Sequence, residues 1–355
     1  MHAPMKLQLN LAESGTKAFL KFHKFHERLN RGIKTTAVSL ALLEHELASN
    51  GAKANAQVKS IAYKVGGIWG GMPDWSNLGD AIGQSRHDLG TSGVIKAFSA
   101  FDVFMETLES ELHAWNHAPS NPTKKAKKPP EPTSREDAAE EEEECPKVKV
   151  IRFYERHDWD IESVTYAIPI YTYYRLLRNC VAHSDGIATP ALAMASEEDN
   201  WKTAIDNWHK KTSDKTSPTP IKFRKGDEIK ITHREAILAS SLLRNLAWDM
   251  TKNAVAELGE LGMYYLIVSR ALKKKDPIIV GGKTYFSKLH AHLENKFRIK
   301  NITNKKTREL LETLDYWEDF KSWHEKLSAI NIAAKAQKYH EQKGGKNGYK
   351  KPNSC

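Results

Sequence analysis

The chain has 355 residues, of which 40% are hydrophobic and 28% charged, with a formal net charge of +10. This length is sufficient for a sizeable core and for more than one domain. No run of about 18 apolar residues occurs, so the sequence predicts no transmembrane helix, and the N-terminal stretch MHAPMKLQLNLAESG lacks the apolar core of a secretory signal.

The three cysteines, Cys145, Cys180 and Cys355, are widely separated and fit neither a disulfide framework nor a zinc site. Cys180 is interpreted as a small core residue. This cysteine usage predicts a reducing, cytoplasmic setting. No HExxH motif, paired-cysteine motif or phosphate-binding glycine loop occurs, so neither a metal nor an organic cofactor is predicted.

The positive charge is concentrated in the C-terminal third. From Arg270 to the end, 20 Lys and Arg residues stand against 9 Asp and Glu, a net charge of +11, so the rest of the chain carries about −1. Such a basic region favours a polyanionic partner, most often nucleic acid. The alternative is a tail that only improves solubility.

The first 93 residues predict a helix followed by a loop. Residues 35–51 begin with Thr35 as an N-cap, continue with apolar residues at helical spacing, and end at Asn-Gly. Residues 66–80 carry five glycines and a proline, which predicts a loop that Trp69 and Trp75 attach to the core.

The clearest helix is predicted over residues 94–116. One face carries Val94, Phe98, Phe101, Met105, Leu108 and Leu112 at the i, i+3, i+4 spacing of a buried helix face. Residues 118–146 then combine prolines with a basic block and an acidic block, which predicts a disordered insertion between two packed helices.

The second half of the chain continues the helical pattern. Residues 148–157 predict order, and Asp158 or Asp160 is expected to cap a helix that reaches His183 and kinks or restarts at Pro169. A short extended segment then leads to a long amphipathic helix through residue 258, with Thr232 as N-cap, Glu235 at its third position, and Gly259 and Gly262 as interruptions.

These elements predict an all-α fold in four parts. They are an N-terminal helical segment (1–93), a helical domain (94–258) with the insertion 118–146, a basic and mostly helical region (259–342) with a short strand or hairpin at 278–286, and a tail (343–355).

The stretch YYRLLRNCVAHSDG (173–186) places three polar side chains at the end of an apolar helix. Asn179 and His183 are four residues apart and share one helix face, and Arg178 is rotated about 100° from Asn179. One interpretation is a helix C-cap, in which Arg178 and His183 meet the last carbonyl groups and the helix dipole. The other is a functional site.

RNCVAH resembles the R-x4-6-H motif of HEPN domains, helical domains found in many prokaryotic ribonuclease toxins. The resemblance includes the polar Asn179 after the arginine and the closing Gly186, and it extends over residues 94–258, where the helix 94–116 and the segment from Gly226 to the long helix are similar to helices of the family. It implies an HEPN-like helical bundle with additional N- and C-terminal helical segments.

The resemblance also implies a metal-independent endoribonuclease that acts as a toxin or an abortive-infection effector against phage. His183 would transfer the proton, Arg178 would stabilise the phosphorane, and Asn179 would orient the imidazole or the phosphate. A single histidine per chain favours a homodimer with a shared cleft, and the basic C-terminal third would hold RNA.

An antitoxin or a phage-derived trigger is the further partner that this family implies. In the subfamily paired with a nucleotidyltransferase antitoxin, a tyrosine stands two residues beyond the histidine, but here that position is Asp185, so that mode of inactivation is not implied.

Two other interpretations remain open. The chain can be a non-catalytic HEPN-like helical module that binds RNA or a partner protein. The histidine pairs His23/His26 and His290/His292 resemble metal ligands, although neither has further ligands at a suitable spacing.

Overall fold

The computed structural model describes residues 15–65, 77–119, 121, 148–197, 201–212, 217–273, 286–297, 299 and 302–344. Over these residues the predicted all-α fold is confirmed, because 82% of them are helical and none belongs to a β-strand. Among the described helices, none combines the length and the apolar character that crossing a lipid bilayer requires.

Eleven α-helices occur in the described part of the chain. They are α1 (Lys17–Asn50), α2 (Ala52–Val65), α3 (Leu78–Asn116), α4 (Lys149–His157), α5 (Ile168–His183), α6 (Pro190–Glu197), α7 (Trp201–Lys211), α8 (His233–Lys273), α9 (Ser287–Phe297), α10 (Asn304–Thr313) and α11 (Trp317–Gly344). A 3-10 helix at Thr165–Ala167 precedes α5, and one isolated antiparallel bridge joins Ile187 to Glu228.

The described residues belong to two compact units. The motif unit draws on Lys21–Thr107 and Pro130–Thr251, and the terminal unit on Met1–Leu20, Leu108–Pro129 and Lys252–Cys355. The candidate motif therefore lies in the first of these units, and most of the basic C-terminal third lies in the second.

Aromatic side chains form the core of the motif unit. Phe98, Phe101 and Tyr171 are at most 2% exposed, and the Tyr171 ring centroid lies 5.6 Å from that of Phe98 and 6.1 Å from that of Phe101. Phe22 of α1 packs against Phe101 at 5.9 Å. All six residues of the apolar face predicted for α3 are buried, which confirms that prediction.

Two glycines of α3 allow this helix to approach the beginning of α8 closely. A Cβ atom on Gly90 would lie 2.6 Å from the backbone oxygen of Thr232, and one on Gly93 would lie 2.6 Å from the Cβ of Ala236. His87 Nδ1 also accepts a hydrogen bond from the backbone N–H of Ile231 at 3.4 Å. Since both glycines lack a side chain, the two helices pack backbone against backbone at this point.

The start of α8 has the capping arrangement that the sequence predicts. The Thr232 hydroxyl accepts a hydrogen bond from the Arg234 N–H at 3.3 Å, and Glu235 accepts one from the Thr232 N–H at 2.8 Å. Gly259 has φ 58 and ψ −169 and interrupts the helix, whereas Gly262 remains helical with Trp115 against it. The predicted interruption is thus confirmed at the first glycine and wrong at the second.

Two helices are longer than predicted. α1 begins at Lys17 rather than at residue 35, because Thr16 caps it by accepting a hydrogen bond from the Phe19 N–H. α3 begins at Leu78 rather than at residue 94, so the predicted domain boundary at 93/94 lies within a helix. The loop predicted over residues 66–80 is therefore wrong for Leu78, Gly79 and Asp80, which belong to α3. Further along this helix, the close packing of Gly90 and Gly93 compensates for their low helix propensity.

The structure also defines one end each of α1, α4 and α5. Gly51, with φ 45, follows α1 as the Asn-Gly signal predicts. Asp158 is the left-handed C-cap of α4 rather than the N-cap of the next helix, and α5 starts at Ile168 with Pro169 in its first turn.

Several predictions concern residues outside those described. They are the loop at 66–76 with Trp69 and Trp75, nearly all of the insertion 118–146 with Cys145, the strand or hairpin at 278–285, and residues 345–355 of the tail with Cys355. Cys180 is described, is 1% exposed, and is a core residue as predicted.

We predict opposite effects of Gly→Ala at two positions of α3. Gly83→Ala should raise the free energy of unfolding by about 0.5–1 kcal/mol, because no atom lies within 4 Å of the added methyl group. Gly90→Ala should lower it by about 1–3 kcal/mol, because the methyl group would collide with the backbone of Thr232. Urea denaturation of both variants provides the measurement, and equal stabilisation by both would contradict the close helix contact.

Candidate functional site

The end of α5 is fixed by the turn that follows it. Gly186, with φ 73, donates its N–H to the carbonyl of Cys180 at 3.2 Å, and the preceding Asp185 is also left-handed at φ 47. The Gly186 carbonyl accepts a hydrogen bond from the Ile229 N–H at 2.7 Å. The segment before α8 therefore holds the turn and, through it, the position of the last helical residue, His183.

Arg178 contacts a carboxylate on a different helix. Its Nη2 lies 3.4 Å from Oδ2 of Asp102 on α3, and its Nη1 donates a hydrogen bond to Oδ1 of Asn179 at 3.1 Å. The Arg178 side chain is 25% exposed and that of Asp102 is 29% exposed. The guanidinium is therefore held in a fixed orientation while part of it still reaches solvent.

Asp102 pairs with cations from two different helices. Its Oδ1 accepts a hydrogen bond from Lys149 Nζ of α4 at 2.8 Å. Burial, and after it the charge of Asp102, raises the pKa of the nearby Tyr171, whereas the guanidinium groups of Arg175 and Arg178 lower it. Asp102 thus pairs with two cationic side chains, Lys149 and Arg178, and a third cation, Arg175, acts on the neighbouring Tyr171.

Arg175 has an unusual environment near these residues. It lies one turn before Arg178 on α5, and its Nε is buried without a hydrogen-bond partner among the described residues. An unpaired buried donor costs free energy.

His183 is exposed at the end of α5, and among the described residues its imidazole has no hydrogen-bond partner. At the Cys180 carbonyl, the capping hydrogen bonds come from the backbone N–H groups of Ser184 and Gly186 and not from Arg178 or His183. The structure joins Arg178 to Asn179 and leaves His183 accessible. Asn179 orients the guanidinium rather than the imidazole.

Asp102, Lys149 and Arg175 were not predicted as residues of this site from the sequence. Asp102 stands alone between the apolar neighbours Phe101 and Val103 on a helix assigned to the core, and that isolation was the available signal. Arg175 could have been noticed as a second arginine at i−3 from Arg178. Lys149 follows the insertion, and nothing in its local sequence indicates a contact with α3.

The histidine pairs that resembled metal ligands have other partners. His26 Nδ1 lies 2.8 Å from Ser240 Oγ, its Nε2 lies 3.3 Å from Asn30 Nδ2, and His23 pairs with Glu27 at 3.3 Å. In the other pair, His290 Nε2 contacts Thr307 Oγ1 at 2.7 Å. Within the described residues, no group of three His, Cys, Asp or Glu side chains has a metal-binding arrangement.

Tyr316, Trp317 and Trp323 are aromatic residues of the basic C-terminal third, and aromatic rings can stack nucleic-acid bases. Trp317 lies 6.0 Å from Phe286 and 5.0 Å below the guanidinium of Arg308, and Tyr316 lies 6.4 Å from Tyr265. Trp323 is half-buried. These contacts favour a packing role for the three rings.

A groove of about 510 Å³ in the terminal unit does not suit a nucleic acid. It passes over Trp115 and Gly259, and three carboxylates line it with one lysine: Glu257, Glu260, Glu309 and Lys306. Lys306 is paired with Glu260 at 2.9 Å. The excess negative charge would repel a phosphate backbone.

No family model, no curated protein and no solved structure matches this chain. The assignment of a role to the end of α5 therefore depends on its own geometry and chemistry.

We predict that His26 makes stability depend on pH. Burial, followed by the nearby charges of Arg244 and His23, lowers the pKa of His26 to about 4. Between pH 6.5 and 4, His26 binds a proton in the unfolded chain but not in the folded chain. The free energy of unfolding therefore decreases as the pH falls through this window. The contribution between pH 6.5 and 5 should be up to about 2 kcal/mol.

His26→Gln should flatten this pH dependence, although it should also lower stability at pH 7 because a buried hydrogen bond changes. Urea denaturation at pH 7 and at pH 5 measures the effect. His209→Gln, at an exposed position of α7, is the control and should keep the wild-type difference. A His26→Gln variant with an unchanged pH dependence would contradict the assignment.

Proposed function

We propose that the chain is a metal-independent endoribonuclease of the HEPN type, with Arg178, Asn179 and His183 as its catalytic residues. The observation that supports this most is the end of α5, where an accessible imidazole follows an arginine that Asp102 and Asn179 hold in place. The similarity of RNCVAH to the R-x4-6-H motif supplies the reaction type.

RNA contains its own nucleophile, the 2′-hydroxyl. Its proton passes to a base as its oxygen bonds to phosphorus, the bond from phosphorus to the 5′-oxygen breaks, and an acid protonates the leaving oxygen. The products are a 2′,3′-cyclic phosphate and a 5′-hydroxyl end. A histidine can perform either proton transfer near neutral pH, and this chemistry does not require a metal.

Arg178 would stabilise the negative charge that develops on the non-bridging oxygens. Guanidinium donors suit these oxygens because several N–H groups point in one plane. The ion pair with Asp102 fixes the orientation of this group, and Lys149, which also pairs with Asp102, adds a second cation nearby. A phosphate can therefore compete for the exposed part of the guanidinium.

One chain offers one histidine in this motif, whereas the reaction needs both an acid and a base. A two-fold dimer in which both motifs line one cleft would supply both. RNA is then the substrate, and the basic C-terminal third adds contacts with the phosphate backbone. The proposed setting is the cytoplasm, and the proposed biological role is that of a toxin or an abortive-infection effector, with an antitoxin or a phage-derived trigger as regulator.

A second candidate function is a non-catalytic helical module that binds RNA or a partner protein. The observation that favours it is again the contact between Arg178 and Asp102, because a guanidinium in an ion pair is less available to a phosphorane. The two functions differ in one measurable result, because a non-catalytic module would bind RNA without cleaving it.

We predict that His183→Ala lowers RNA cleavage by about 10²- to 10⁴-fold, because the proton transfer is lost. The substituted side chain is exposed, so the helical content measured by circular dichroism should not change. His209→Ala, an exposed histidine in the last turn of α7, is the matched control and should cleave like the wild type. The assay uses total RNA with EDTA present.

Unchanged cleavage by His183→Ala would exclude this residue from the mechanism. Binding of RNA by the wild type without any cleavage would favour the non-catalytic module.

We predict that two inactive variants complement each other. Arg178→Ala and His183→Ala homodimers should both be inactive, the first without phosphorane stabilisation and the second without proton transfer. In an equimolar mixture that has exchanged subunits, about half of the dimers are heterodimers. Each heterodimer keeps one intact arginine and one intact histidine from different chains. Cleavage should therefore recover only in part, because one of the two proton transfers still lacks a histidine.

Heterodimer formation is verified with two different affinity tags. No recovery in mixtures that contain heterodimers would contradict a shared cleft and would assign an independent site to each chain.

A further inference from the structure

Helix α1 has two opposite faces with different surroundings. Ile33 on the inner face is 3% exposed and lies against α3, where a Cβ on Gly93 would come within 3.1 Å of its Cδ1. One helical repeat further along this face, Leu40 is half-buried and Glu44 forms an ion pair with Arg86 of α3 at 2.6 Å. The inner face therefore attaches α1 to the motif unit.

The outer face of α1 contacts nothing else among the described residues that would bury it. Val38 is 59% exposed and Leu42 is 62% exposed, although both are apolar and lie one turn apart on the same face. The exposed residues of this outer face are Arg31, Lys34, Thr35, Val38, Leu42, His45, Glu46 and Ser49. Most follow the alternating three- and four-residue spacing with which one helix meets another.

The outer face is complementary to itself when two copies run antiparallel. Each residue turns the helix by about 100°, so Val38 and Leu42 lie symmetrically about the direction that points away from Leu40. A two-fold axis level with Leu40 then places Val38 of one copy opposite Leu42 of the other. The same axis places Thr35 of one copy opposite His45 of the other.

The charges along this face agree with the antiparallel direction. Arg31 and Lys34 lie at the N-terminal end of the face, and Glu46 lies near the C-terminal end. An antiparallel pair brings the basic end of each helix beside the acidic end of the other, whereas a parallel pair would place like charges together. Because the axis is two-fold, each favourable contact occurs twice.

We propose that the outer face of α1 is a docking surface for a second copy of this chain, with the two α1 helices antiparallel and the two-fold axis level with Leu40. This inference is independent of the ribonuclease proposal, because it uses no residue of the Arg178/His183 site and its test measures no cleavage. The face is about 28 Å long, from 1.5 Å per residue, and a single helix pair of this length is smaller than a typical stable dimer interface. Association through this face is therefore weak and is best detected by cross-linking.

Disulfide cross-linking between two different single variants tests the register. Val38→Cys and Leu42→Cys are each made in the full-length chain with Cys145 and Cys355 replaced by Ser, and the buried Cys180 is kept. One variant carries a larger tag, so that mixed and identical disulfide dimers separate by size. A disulfide needs Cβ atoms within about 4.5 Å, and in the proposed register positions 38 and 42 of different copies approach most closely.

After mild oxidation of the equimolar mixture, the dimer of Val38→Cys with Leu42→Cys should exceed either identical dimer by at least about fivefold, because only the mixed pair satisfies the disulfide geometry. Thr36→Cys is the matched control, since Thr36 is exposed but lies about 160° around the helix from Val38. A mixture containing it should give only background cross-linking. A mixed dimer no more abundant than this background would overturn the proposal, and a preference for identical dimers would overturn the antiparallel register.

Charge substitutions provide a second test of the same interface. Glu46→Lys should lower the yield of the mixed dimer several-fold, because lysine would then face Arg31 and Lys34 of the other copy. Adding Arg31→Glu to both cysteine variants that carry Glu46→Lys should restore the yield, since the charges are exchanged. An unchanged yield in Glu46→Lys, or no restoration by Arg31→Glu, would contradict the proposed direction of the two helices.

Discussion

The close contact between α3 and the start of α8 determines the geometry of the motif unit. Gly90 and Gly93 leave no room for a side chain, and the hydrogen bond to His87 together with the capping of α8 by Thr232 and Glu235 holds the two helices at this point. Because an α-helix is stiff, fixing α3 here also fixes Asp102, about three turns further along. The orientation of Arg178 depends on that carboxylate.

The motif at the end of α5 is held from two directions. Asp102 restrains the guanidinium from the side of α3, and the left-handed turn at Asp185 and Gly186, bonded to Ile229, restrains the helix end. Both supports depend on the contact between α3 and the start of α8. Asp102 lies on α3, and the segment that carries Ile229 leads directly into α8. Packing that stabilises the motif unit therefore also positions Arg178 and His183, while His183 itself remains exposed and free of the core.

A surface helix can stabilise the fold with one face and bind a second chain with the opposite face. The inner face of α1 packs against the motif unit, whereas Val38 and Leu42 keep most of their surface in water. Burying an apolar side chain contributes roughly 25 cal/mol per Å², and in the proposed pairing the second chain supplies that free energy. His183 at the end of α5 and the outer face of α1 are thus two separate parts of the chain to which we assign a role in a proposed dimer.

The sequence by itself determined the elements whose signals are local. The apolar face of α3, the Thr232–Glu235 cap, the end of α1 at Gly51 and the position of the motif at a helix end all depend on residues within a few positions of one another. Only the tertiary structure decided that α3 begins at Leu78, since the helix-breaking effect of its glycines is offset by contact with α8. It also decided that Arg178 pairs with Asp102, because this contact joins residues 76 positions apart, and no local pattern encodes which distant carboxylate a guanidinium will meet.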